Sequence, residues 1–172
     1  MEMTLSLYKI ADAWMQALQA STVIQNFCQE KYGKSPTFLM GTTPRQLPDE
    51  DNCPFILIMP GHKVEGIDEG TFSYILGIAW VISNDKVAAD GNIVPFDSYP
   101  NASLIDMLGM RECNAFGQLI YEELQACAES KGWPISHIDF DISPSEAIFP
   151  QWNGVLVATT NITPSMGEEI TY

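Results

Sequence analysis

A chain of 172 residues, 46 % hydrophobic and 17 % charged, holds enough apolar material for one packed core. That excludes disorder through low hydrophobicity and makes a single domain over 1–172 the expectation. Eight basic against 22 acidic residues leave a formal charge of −14, and without a basic stripe such a charge excludes adhesion to nucleic acid or to anionic membrane surfaces.

Residues 1–10 carry two charges and no unbroken apolar run, so they do not read as a secretory leader, and a cytoplasmic protein is expected. Thr4 or Ser6 can N-cap a first helix in which Leu7, Ala11, Trp14 and Leu18 recur at helical spacing. Ser21 and Thr22 offer a second cap before Val23, Ile24, Phe27 and Cys28, which predicts a break near residue 21 and a helix resuming to Gly33. Thr37 to Thr42 reads as a short strand closed by Gly41 and Pro44. Residues 43–54, with three prolines and three acids in a row, read as a solvated connection.

Phe55 to Met59 is an apolar run of strand length, expected to end at Pro60 and Gly61. Thr71 to Ser83 places Phe72, Tyr74, Leu76, Ile78, Trp80 and Ile82 on one face and Ile75, Gly77, Ala79 and Val81 on the other. A strand apolar on both faces belongs in the middle of a sheet, with helices on one side and more protein or a partner subunit on the other. The stretch is too short to cross a bilayer as a helix. Residues 61–70 then form the long tip of a hairpin. Residues 84–103 show little periodicity and read as a loop of about twenty residues, well above the usual length of about 4 to 6.

Leu104 to Lys131 is the clearest helix, striped by Cys113, Phe116, Ile120, Leu124 and Cys127 and ended by Gly132 and Pro134. Ile138, Phe140 and Ile142 alternate with His137, Asp139 and Asp141 in a half-buried strand. Trp152, Val155, Val157 and Thr159 mark a last strand, with a bulge expected at Asn153-Gly154. The polar tail from 163 reads as frayed. The whole is an α+β fold: a mainly antiparallel sheet of about five strands, an N-terminal helix with a kink, and one long amphipathic helix packed on one face.

Catalytic motifs are weak. Gly61 to Gly66 has the glycine spacing of a phosphate loop, but Ile67 and Asp68 stand where Lys and Ser/Thr are required. His62 and His137 lie 75 positions apart, with no activated nucleophile beside either. Asp139 and Asp141 share a strand face about 7 Å apart and could hold a hard cation, although an acidic chain presents such pairs by chance. Cys28, Cys53, Cys113 and Cys127 match no zinc spacing. Cys113 and Cys127 fall about 21 Å apart along one helix, so they cannot pair with each other. All four read as reduced core thiols, the sequons at Asn101 and Asn161 carry no meaning without secretion, and no cofactor or metal is expected.

The order of elements, with PFILIMPGHKVEGIDEGTFSYILGIAWVIS over 54–83 and IDFDISPSEAIFPQWNGVLVATTNI over 138–162, resembles the tail-terminator proteins of long-tailed bacteriophages and prophages, and the pattern covers most of the chain. The resemblance implies a non-enzymatic subunit that forms a hexameric ring on the tail tube, stops its growth and meets the head connector. It also implies residence in the bacterial cytoplasm during assembly and in the virion tail afterwards. The chain departs from the pattern in the length of 84–103. A ring interface is expected around the acidic turn and the following loop, with Glu65, Asp68 and Glu69 at a rim and Lys63, Lys86 and Arg111 as available cations. A reading from a different class is a small cytoplasmic ligand-binding module or enzyme, with a pocket between the sheet and helix 104–131 that uses His137, Asp139 or Cys127.

Overall fold

The computed structural model describes residues 5–41, 49–65, 72–85, 93–95, 103–105, 108–143 and 150–162. Helix α1, Leu7–Ala20, starts at Ser6, whose hydroxyl accepts the Lys9 N–H at 3.2 Å. It buries Ile10, Ala11, Trp14, Met15 and Leu18. Ser21 makes the break: its backbone is extended, its N–H returns to the Leu18 carbonyl, and its side chain caps α2, Thr22–Tyr32, by accepting from the Ile24 N–H. One buried serine thus satisfies orphan groups on both helices. Gly33, at φ 69°, ends α2 in the left-handed conformation that favours glycine.

Five strands form one sheet in the order β1, Thr37–Met40; β2, Phe55–Glu65; β3, Phe72–Ser83; β7, Gln151–Ile162; and β6, Ile135–Ser143. All neighbours are antiparallel except β1 and β2, which run parallel. Within 84–103, expected to be a loop, Ile93–Pro95 forms a short strand, β4, that pairs with β5, Ser103–Ile105. The long helix α3 therefore begins at Leu108, and Leu104 belongs to β5. At its other end α3 closes through two backbone bonds, Gly132 N–H to the Glu129 carbonyl and Trp133 N–H to the Ala128 carbonyl, with Gly132 left-handed.

Two expectations about bulges are corrected. β2 does not stop at Pro60; it continues to Glu65, and Gly61 is the extra residue between the pairs Pro60–Leu76 and His62–Ile75. A side chain at Gly61 would place its Cβ 2.8 Å from the Ile75 carbonyl oxygen, so this close approach requires glycine. Asn153-Gly154 is not a bulge, since β7 pairs with β3 in unbroken register from Ile162 to Gln151. The other register shift lies in β6, at Ser136.

All three helices cover one sheet face, where Ile56, Ile58, Leu76, Ile78, Trp80, Ile82 and Leu156 are buried among α1 and α3 side chains. Trp80 is fully buried between the sheet and α3. Its indole N–H donates to the Cys113 carbonyl of α3 at 2.9 Å, its ring lies against Phe140 with centroids 5.2 Å apart, and a Cβ at either Gly117 or Gly154 would overlap its ring atoms. Trp152 repeats the arrangement one end further along: Gly109 admits its ring, and its indole N–H donates to the Asn84 carbonyl at 3.0 Å.

Gly117→Ala is expected to destabilise the protein. The substitution gains about 1 kcal/mol of helix propensity, but its methyl meets the ring of a fully buried tryptophan, which places the overpacking cost near the upper end of about 1 to 3 kcal/mol. Trp152→Ala empties a nearly buried site and is expected to cost about 3 to 5 kcal/mol. Denaturant midpoints of the two variants against the parent check both signs.

Candidate functional site

Of the five residues expected at a ring interface, Lys63 and Glu65 fall on the last turn-ward stretch of β2, while Asp68, Glu69 and Lys86 lie outside the described residues. The bulge at Gly61 decides where Lys63 points. Past it the faces exchange, so Lys63 pairs with Tyr74 on the helix side, and its ammonium sits 5.2 Å from the Phe72 ring centroid and 5.6 Å from that of Tyr74. The cation therefore covers aromatic carbon. The Tyr74 hydroxyl below it donates to the Leu5 carbonyl at 3.1 Å. Glu65 occupies the register position opposite Phe72.

The opposite face of the sheet carries no α-helix among the described residues; the 3-10 turn Glu50–Asn52 leads into it at Cys53. Across β1, β2 and β3 it is apolar: Leu39, Met59, Ala79 and Val81 are half-buried around Cys53, Phe55 and Leu57, and Val155 and Val157 extend it onto β7. Toward β6 it turns polar. The Ser73 hydroxyl donates to Asn161 Oδ1 at 2.6 Å, Asn161 Nδ2 donates to Ser136 Oγ at 2.9 Å, and the Ser136 hydroxyl donates to the Thr159 carbonyl at 3.1 Å. Asn161, read at first only as a sequon, thus ties β3 to the bulge of β6.

Of the residues of the pocket reading, His137 and Asp139 meet each other, outside any pocket beneath α3, and Cys127 does not join them. His137 Nε2 lies 3.4 Å from Asp139 Oδ2, both well exposed on the helix-free side of β6, where such a pair contributes little. Asp141 shares that side, and among the described residues no group of three or more His, Cys, Asp or Glu side chains could hold a metal. Cys127 is on the other side of the sheet, its thiol 3.7 Å from the Ala13 carbonyl of α1.

A cleft of about 690 Å³ does exist, but at the end of α2 rather than beneath the middle of α3. Lys31 and Tyr32 of α2, Arg111 and Glu112 of α3, and Asn84 and Asp85 after β3 contribute to its walls. Its floor includes Phe27, which stacks on Phe116 with centroids 5.4 Å apart. The Tyr32 hydroxyl donates to Glu112 Oε1 at 2.6 Å, a short, charge-assisted bond. Burial, and then this bond, hold the phenol well above the usual tyrosine range, so it remains a neutral donor. Tyr32 and Glu112 are 80 positions apart, and no local pattern in the chain couples them. The volume falls within the range of small-molecule sites, and the mixture of charges lets the cleft bind polar groups.

The thiols are free, with Cys28, Cys53 and Cys113 buried and Cys127 half-buried. Burial pushes Cys28 and Cys113 up to about 12 and Cys53 up to about 11, and raises Cys127. Compared with protein-family models and with curated proteins, the chain matches none.

A titration prediction follows from these shifts. The unfolded thiols ionise near 9.0, whereas the folded ones keep their protons to about 11 or 12. Their contribution is therefore complete below pH 9 and is lost as pH rises from 9 toward 12, because the unfolded state binds fewer protons there. Tyr32 acts with the same sign. Urea midpoints should be flat from pH 7 to 8.5 and fall steadily above 9. At pH 8, a thiol reagent should label native protein slowly, Cys127 first, and reach four thiols per chain only in denaturant.

Proposed function

We propose that this chain is a structural assembly subunit of the tail-terminator kind, which forms a hexameric ring that caps the tail tube of a long-tailed phage or prophage and joins it to the head connector. The observation that carries this reading is the asymmetry of the sheet: three α-helices bury one face, and the other presents Leu39, Met59, Ala79 and Val81 half-buried with no α-helix among the described residues. A face of this kind suits a contact between subunits, since specific interfaces bury about 1,200 to 2,000 Å² around an apolar centre. The order of elements is kept in the structure apart from the added pair β4 and β5 between β3 and α3. An acidic ring of −14 per subunit would let DNA pass without adhering. In this reading the protein performs no catalysis, assembles in the bacterial cytoplasm and ends in the virion tail.

The polar cleft at Tyr32 and Glu112 favours a second reading, a small-ligand-binding module. Sedimentation velocity separates the two. The ring reading expects a hexamer, or a concentration-dependent approach to one, at high protein concentration. Val157→Lys should abolish that association with the fold intact, because the new ammonium sits on the helix-free face in register with Asp139. A strict monomer at about millimolar concentration, where even contacts worth only about 4 kcal/mol are populated, overturns the ring and leaves the cleft as the functional site.

A further inference from the structure

The cleft between α2 and α3 has walls of opposite sign with an apolar floor between them. Phe27 and Lys31 stand at i and i+4 on α2, and Leu108, Glu112 and Ala115 at i, i+4 and i+7 on α3, so each helix gives the cleft one stripe that joins an apolar side chain to a charge. The two charges are held differently. Glu112 Oε1 accepts the Tyr32 hydroxyl at 2.6 Å, and among the described residues the carboxylate makes no other hydrogen bond or ion pair. One short, charge-assisted bond thus fixes this group and leaves its second oxygen as an acceptor. Lys31 Nζ lies 3.9 Å from Glu30 Oε1, with the side chains 42 % and 77 % exposed. A pair so long and so exposed contributes little, so an incoming anion displaces it at small cost. Arg111, beside Glu112 on the same wall, is already engaged.

This lining selects the charge pattern of its ligand. A plain anion enters against Glu112 and against a chain that carries −14, and a plain cation enters against Lys31 and Arg111. A molecule that carries both signs meets an opposite charge on each wall. We propose that the cleft binds a small zwitterion with an apolar body, of the chemistry shared by a free amino acid and a short peptide: its ammonium on Glu112, its carboxylate on Lys31 and its apolar part on Phe27 and Leu108. At about 690 Å³ the cleft has room for either source. Apolar contact supplies the affinity, and the two fixed signs supply the selectivity. The inference rests on the reading of the cleft as a ligand site and does not depend on ring formation.

The test is a titration of the isotope-labelled full chain, followed by amide NMR, with L-phenylalanine and the dipeptide leucyl-phenylalanine as the two sources. Two analogues each lack one charge: phenethylamine has no carboxylate, and phenylpropionate has no ammonium. The expected result is saturable shifts centred on 27–32 and 108–115 with one of the zwitterions, the tighter of the two identifying the source, and about tenfold weaker binding of both analogues. Glu112→Gln keeps an oxygen to accept the Tyr32 hydroxyl, and it should weaken the zwitterion about tenfold while sparing phenylpropionate. Lys31→Gln, at an exposed position, should weaken the zwitterion and spare phenethylamine. A merely structural role for either residue would weaken all probes alike and so overturns the proposal, as would analogues within about twofold of the zwitterions, shifts centred elsewhere, or no saturable shift at about 10 mM. A panel of neutral fragments separates the two levels of failure. A fragment that saturates the cleft where the zwitterions do not overturns the proposal and keeps the ligand reading, whereas a cleft that responds to no probe and no fragment overturns both.

Discussion

The position of α3 on the sheet depends on the room made for the Trp80 indole. The ring is too large to fit between a helix and a strand that both carry side chains, and here Gly117 on α3 and Gly154 on β7 leave that room. The close approach brings the indole N–H to the Cys113 carbonyl, a helix carbonyl with a second lone pair available beyond its own ladder bond. Because the interior is packed like a solid, this one contact sets the height and rotation of α3. Gly109 and Trp152 set the tilt at the N-terminal end, eight residues away on the same helix face.

With α3 fixed, the remaining surfaces follow. α1 packs beside it over β2, and α2 is turned by Ser21 so that Phe27 stacks on Phe116 and Tyr32 reaches Glu112. The cleft is the gap left where α2 ends against the start of α3. Since α1, α2 and α3 lie on the same side, the other face of the sheet is left, among the described residues, mainly to the aliphatic side chains of β1, β2, β3 and β7. Charge sorts the surfaces further. The acids of β6 stand at one edge, and the apolar residues occupy the middle.

The register shifts matter more than their size suggests. One extra residue at Gly61 moves Lys63 from the helix-free face to the aromatic pair Phe72 and Tyr74. One extra residue at Ser136 puts a hydroxyl where it can accept from Asn161 and donate to the Thr159 carbonyl. Because side chains alternate with a period of two, each bulge reassigns every residue beyond it to the opposite face. The charged and polar features of this sheet therefore cannot be placed by counting along one strand.

The elements themselves were legible in the chain. The stripe of Ile10, Trp14 and Leu18, the serine at 21, the glycines at 33 and 132, and the alternation from Tyr74 to Ile82 are local signals, and each specifies a helix, a cap or a strand within a few residues of its own position. So were the double-sided apolar character of β3 and the packing of helices on one face. What only the tertiary structure decided is what depends on distant partners: the parallel pairing of β1 with β2, the continuation of β2 past Pro60, the unbroken register at Gly154, and the meeting of Tyr32 with Glu112. Gly154 shows the reason. From the sequence, a glycine after asparagine in a strand signals a bulge; in the fold its missing side chain is filled by Trp80, 74 positions earlier. A local pattern reports backbone preference, whereas the use made of an absent side chain is set by whichever residue the fold brings against it.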